Sequence, residues 1–199
     1  NKCNSVAEYE NQDTSKTSWI AIPLAMGIDD RSNETVSALL SDKLFKNGGI
    51  VTRSGEKTYW DRATLYALRG MFYSGHQNEA VELLKAFTSA RLLGEHIPYP
   101  VEAFLEGNQA QLSAESGLYL RIFTEGILGY RPTGFNSFSL KPNLPDEWNE
   151  MSVENFMLCG KAADIFVLRK DNGYEIKVNF DDNSLTEFTV FNDKIEFMI

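Results

Sequence analysis

Cysteine and histidine are scarce in this chain of 199 residues, with two of each. Cys3 and Cys159 are far apart and read as two free thiols. Neither falls at metal-ligand spacing with His76 or His96, so the sequence implies no zinc site and no cofactor. A single histidine such as His96 reads as a structural or surface residue. Positive charge is also short: 19 Lys and Arg face 28 Asp and Glu, a net charge of −9. That balance argues against nucleic acid, whose phosphates would be repelled, and against an anionic membrane surface. It suits a neutral substrate. No apolar run reaches the roughly 20 residues that cross a bilayer, and no signal peptide is present. The polar start Asn1-Lys2-Cys3-Asn4-Ser5 has no initiator Met, which reads as a chain processed, trimmed or cut from something longer.

What is present is apolar and aromatic: 43% of residues are hydrophobic and 12% aromatic, the composition of a globular fold. The length suits one good-sized domain or two small ones. The most informative stretch is Tyr99-Pro100-Val101-Glu102-Ala103-Phe104-Leu105-Glu106-Gly107-Asn108-Gln109. By composition it is a loop, yet it holds two carboxylates, two aromatics and two amides. Rings can cover the C–H faces of sugars, amides can bond hydroxyls, and a carboxylate can move a proton or activate water. The same residues also suit a polar surface loop with packed aromatics.

Periodicity divides the chain into a helical part, 1–130, and a β-part, 131–199. A short apolar helix is expected over Trp19 to Ile28. Asp30 can cap the next, with Val36, Leu39, Leu40 and Leu44 at helical spacing and Asn47-Gly48-Gly49 as its end. A third runs from about Trp60 to Tyr73 with Leu65, Leu68 and Phe72 on one face, closed by Gly75. A fourth starts near Asn78 and carries Val81, Leu84 and Phe87; a fifth runs from Ser113 to about Leu128. Short links make these helical hairpins. Strand patterns then cover Phe138-Ser139-Leu140, 152–158, 162–169, 174–180, 186–191 and 194–199, with turns at Asp171-Asn172-Gly173 and Asn192-Asp193. Such a tail is antiparallel and sandwich-like. Asp181-Asp182 fits a solvated turn better than a calcium site.

Three segments resemble the C-terminal part of the six-hairpin (α/α)6-barrel glycoside hydrolases, chiefly the trehalase and processing α-glucosidase clan and more loosely α-L-rhamnosidase-like enzymes. Trp19-Ile20-Ala21-Ile22-Pro23-Leu24-Ala25-Met26-Gly27-Ile28 is similar to an inner barrel helix. Gly48-Gly49-Ile50-Val51-Thr52 with Tyr59-Trp60-Asp61-Arg62 is similar to the glycine-rich turn and Tyr-Trp-Arg-Gly type substrate loop. Pro98-Tyr99-Pro100-Val101-Glu102-Ala103-Phe104, Glu106-Gly107-Asn108 and Leu112-Ser113-Ala114-Glu115-Ser116 are similar to the loop and helix around the catalytic base. Leu140-Lys141-Pro142-Asn143-Leu144-Pro145 is similar to the lead-in to the C-terminal β-domain. Two departures stand out. Asp61 intervenes between Trp60 and Arg62, and a six-hairpin barrel needs twelve helices where roughly five are read here.

The resemblance implies helical hairpins of a partial (α/α)6 barrel followed by an antiparallel β-sandwich-like domain. It implies hydrolysis of neutral glycosides in a periplasmic or extracellular setting, with a carbohydrate substrate and the remaining N-terminal part of the same enzyme as partners. Inverting cleavage needs an acid for the leaving oxygen and a base for water, about 6.5–9.5 Å apart. Glu102 takes the base position, with Glu106 as rival; the general acid is expected upstream. Trp60 and Tyr99 become candidate sugar platforms, and Arg62 and Gln109 candidate hydroxyl partners. Asp61 either bonds hydroxyls or pairs with Arg62. Glu115 reads as a first-turn carboxylate favoured by the helix dipole. Two other classes fit less of the sequence: a polysaccharide lyase, disfavoured by the acidic loop, and a non-catalytic carbohydrate-binding module.

Overall fold

The computed structural model of the chain describes residues 16–93, 113–181, 185–190 and 194–198. Among these, five helices come first, strands dominate the rest, and the strands form three antiparallel sheets. A 3-10 turn, Ser18–Ile20, leads into α1 (Ala21–Ala25) and then α2 (Ser32–Leu39). A two-residue-per-strand hairpin, β1 (Phe45–Lys46) and β2 (Gly49–Ile50), precedes α3 (Asp61–Tyr73), α4 (Gln77–Arg91) and α5 (Ser113–Arg121). A π-helical turn, Ile122–Ile127, continues α5.

Helix α3 is the centre of the helical part. The predicted face of Leu65, Leu68 and Phe72 is buried, and so are Ala63, Ala67 and Met71 on other sides. A helix apolar on several faces packs against neighbours all round. Its end follows from Gly75, whose φ of 86° is open to glycine. The His76 amide bonds the Met71 carbonyl at 2.9 Å and the Gly75 amide bonds that of Phe72 at 3.2 Å, the Schellman arrangement. Gly70 sets how closely α1 approaches. A Cβ there would stand 2.7 Å from Leu24 Cβ and 2.8 Å from the Ala25 backbone nitrogen. Gly70→Ala should therefore lower stability by about 1–3 kcal/mol, more than the gain in helix propensity returns. Urea unfolding checks this; an unchanged or higher midpoint would mean that α1 slides away freely.

Three local readings are corrected. The stretch from Trp19 is the end of the 3-10 turn Ser18–Ile20 and the five-residue helix Ala21–Ala25 rather than one helix to Ile28. Helix α2 starts at Ser32, with Arg31 rather than Asp30 at the cap position, and ends before the buried Leu44. Asn47 and Gly48, with φ of 48° and 79°, form the turn of the β1–β2 hairpin instead of closing a helix. Both central residues at positive φ suit a right-twisted two-residue turn, which Asn-Gly favours. The Ile50 amide then bonds Thr64 Oγ1 at 2.9 Å, seating the hairpin on α3.

The β-part holds two sheets. One runs β3 (Arg131–Gly134), β4 (Ser137–Leu140), β9 (Ile195–Met198), with Phe138 opposite Phe197 and their rings stacked at 4.7 Å. The other runs β5 (Glu150–Leu158), β6 (Lys161–Lys170), β7 (Gly173–Phe180), β8 (Leu185–Val190). Asp171 and Asn172 make the two-residue turn between β6 and β7, as the Asp-Asn-Gly signal predicts. Ala163, Ile165, Val167, Tyr174, Ile176 and Val178 alternate inward and join the same buried cluster as the helices. The connector 141–149 ties the parts together. The Asn143 amide bonds the Ile127 carbonyl at 2.8 Å, and Arg169 Nη2 donates to the Leu144 and Pro145 carbonyls at 2.7 Å each. No described helix is long and apolar enough to cross a membrane.

Candidate functional site

The Trp60-Asp61-Arg62 turn opens α3, where the chain leaves extended geometry (Trp60 φ −97°, ψ 109°) for helix. Asp61 at the first turn suits the positive end of the helix dipole. Its side chain is buried and meets Arg91 at the end of α4, Asp61 Oδ1 to Arg91 Nε 3.1 Å. Arg91 also lies over the rings of Tyr59 and Phe87, at 5.6 and 5.8 Å. The structure thus shows a partner for Asp61 that sequence reasoning did not name. Arg62 turns instead to Glu115, with Nε and Nη2 each 2.7 Å from Oε1.

Glu115 is fully buried although it stands in the first turn of α5, so it is more than a solvated dipole partner. Its second oxygen, Oε2, has no hydrogen-bond partner among the described residues. Trp60 is half-buried and meets the edge of the 41%-exposed Trp19, ring centroids 5.6 Å apart. An indole pair therefore borders the turn.

These ion pairs fix an arrangement. Asp61–Arg91 holds the end of α4 to the start of α3, and Arg62–Glu115 holds the start of α5 to the same place. Segment 94–112 runs between those two helix ends. Tyr99, Glu102, Glu106 and Gln109 of the sequence reading lie in that segment, outside the described residues. Trp60, Asp61 and Arg62 come together with both of its attachment points.

Two turns further along α3, Arg69 pairs with Glu125 at 3.0 Å, so α3 and the α5 segment run side by side in the same direction. Arg121 and Arg131 also reach Glu125. Burial lowers the pKa of Arg69 and of Arg131, while Glu125 works to raise both. Arg131 stacks over Tyr73 at 4.2 Å. This cluster joins the later turns of α3 to the π-helical turn and β3.

Sequence reasoning missed Arg91 altogether and undervalued Glu115. A signal for the first was present. Ala80, Leu84, Phe87 and Arg91 share one helical stripe, as do Asp61, Leu65, Leu68 and Phe72. A charge at the end of an apolar stripe calls for an opposite charge on the facing helix. Among the described residues no group of His, Cys, Asp or Glu could hold a metal ion. No protein-family model and no curated protein matches this sequence.

Proposed function

We propose that this chain is the C-terminal part of a glycoside hydrolase acting on neutral glycosides by an inverting two-carboxylate mechanism. The observation that carries the reading is the convergence just described: the Trp60-Asp61-Arg62 turn and both ends of the carboxylate-bearing segment 94–112 meet at one end of the helical layer. The up-down-up course of α3, α4 and α5 is the course of successive helical hairpins. Met26 and Ile28 after α1, 68% and 62% exposed, and Leu120 on α5, 65% exposed, are side chains that a further hairpin would cover.

In this reading Glu102 is the general base that activates water, Glu106 its rival, and the general acid comes from a hairpin upstream. Trp60 and Tyr99 present ring faces to the sugar. Arg62 and Gln109 bond hydroxyls, and Arg62 is held for that task by Glu115. Asp61 acts through Arg91, fixing the turn that carries its neighbours. The β-part packs behind the helices as a sandwich-like support.

The test compares the purified 199-residue chain with a longer product carrying the upstream hairpins, on a panel of neutral oligosaccharides. Hydrolysis by the longer product alone is expected, since one carboxylate cannot both protonate the leaving oxygen and activate water. Hydrolysis by the 199 residues alone would refute the split acid and base. No hydrolysis by either would remove the glycosidase reading.

A further inference from the structure

Buried cations ordinarily have an opposite charge close by. The cluster around Glu125 breaks that balance. Arg69 Nη1, Arg121 Nη2 and Arg131 Nη1 all donate to Glu125 Oε2, at 3.0, 2.9 and 3.3 Å, and Arg121 Nε donates to Oε1. A fourth cation adjoins them. The Arg131 guanidinium and Lys141 Nζ lie 4.2 and 5.1 Å from the centre of the same Tyr73 ring. Among the described residues, no carboxylate other than Glu125 pairs with any of the four. Asp29 and Asp30 follow the Gly27 that packs on Tyr73, and they too pair with none of them. Four positive charges against one negative leave three uncompensated, in a chain whose net charge is −9.

Two donors in this cluster are idle. Arg69 Nε and Arg131 Nη2 are buried and meet no hydrogen-bond acceptor. The Arg69 side chain is 4% exposed, so bulk water has almost no access to it. The cations also repel one another. Burial lowers the pKa of Arg69 most, Glu125 opposes that, and Arg121 and Arg131 lower it further. What the cluster lacks is a second anion, and its donors set the class. Guanidinium groups fork onto the paired oxygens of a carboxylate or a phosphate. Three surplus charges favour a dianion over chloride or a single carboxylate, because the attraction scales with the charge. Arg121 is 47% exposed, Arg131 21%, and Lys141 is half-buried. An incoming anion therefore meets these three from solvent, with Arg69 behind them. Arg131 is partly exposed, and turning its side chain offers Nη2 to that anion.

We propose that Arg121, Arg131 and Lys141, backed by Arg69, form a binding site for a phosphate dianion, supplied either as the free ion or as a phosphomonoester. The site is separate from the Trp60 turn and does not depend on the hydrolase reading, because the ligand class follows from the cluster's own charge and donors. Its occupant completes the junction of α3, the π-helical turn and β3. Binding to the folded chain then stabilises it by mass action.

The experiment follows calorimetry and thermal unfolding of the full 199-residue chain with inorganic phosphate, phenyl phosphate and sodium chloride at matched ionic strength. One-to-one, saturable phosphate binding is expected, with Kd of about 1 mM or below and a raised Tm. Chloride should give neither. Tighter binding of phenyl phosphate than of phosphate supports the site and identifies a phosphomonoester as its ligand; weaker binding supports it with the free ion. Arg121→Gln and Lys141→Gln should each weaken phosphate binding about tenfold, and Lys85→Gln on α4 should leave it unchanged. In phosphate-free buffer Arg121→Gln should keep or raise Tm, because it removes a repelling cation, so its lost binding cannot come from misfolding. Arg131→Lys keeps the charge but loses the fork, and should also bind more weakly. Several results would overturn the site: no saturable phosphate binding, a response equal to that of chloride, or unchanged affinity in both Arg121→Gln and Lys141→Gln. A parent without a phosphate response, with a clearly lower Tm for Arg121→Gln, would assign the cluster to internal bracing alone.

Discussion

If the proposed hydrolase reading holds, exchanging Glu102 for glutamine is expected to lower kcat of the longer product about 10²–10⁴-fold with KM little changed. The amide keeps the size and most of the hydrogen bonding of the carboxyl but cannot take a proton from water. Substrate contacts survive, and only the transition state loses its base. Glu106→Gln should cost clearly less if Glu106 orders the loop. The two variants are compared in kcat at saturating substrate. The reverse ranking transfers the base role to Glu106, and small equal losses take both residues out of the chemistry. Segment 94–112 is anchored at one end by Arg91 to Asp61 and at the other by Glu115 to Arg62.

Asp61→Ala is expected to cost about 3–5 kcal/mol of folding stability, because it removes one partner of a buried ion pair. The side chains of Asp61 and Arg91 are 1% and 3% exposed, so water cannot replace the carboxylate without rearrangement. With an m-value of about 2 kcal/mol per molar urea, the unfolding midpoint should fall by about 2 M. Arg91→Met should cost a similar amount. The double variant Asp61→Leu with Arg91→Met should recover much of the loss, since replacing both partners by apolar groups is often close to neutral. A double-mutant cycle therefore reports strong coupling. If instead Asp61→Ala folds as stably as the parent and only raises KM, Asp61 is a direct hydroxyl partner and the pairing with Arg91 is incidental.

These expectations separate two roles that one short motif obscures. Tyr59-Trp60-Asp61-Arg62 places an aromatic platform, an acid and a base in consecutive positions, and sequence alone offers them equally to a ligand. In the fold they diverge. Consecutive residues on a helix point about 100° apart, so Asp61 and Arg62 cannot face the same neighbour. Asp61 falls on the inward stripe with Leu65, Leu68 and Phe72, and Arg62 points toward α5.

Local sequence determined the element order and most element types. The apolar spacing in α3 and α4, the alternation in β6 and β7, and the turn residues Gly75 and Asp171-Asn172 each act through a few neighbouring residues. Such signals are carried by the chain itself. Asn47-Gly48 shows where they mislead. The same dipeptide can end a helix or close a hairpin, and the choice rests on Ile50 reaching Thr64, fourteen residues away. The pairings Asp61–Arg91 and Arg62–Glu115, the burial of Glu115, and the outward exposure of Phe166 beside a small Ser152 were decided only by tertiary structure. Each joins residues from different elements, and a charge on a helix has no preferred partner until packing sets which helices touch and in what register.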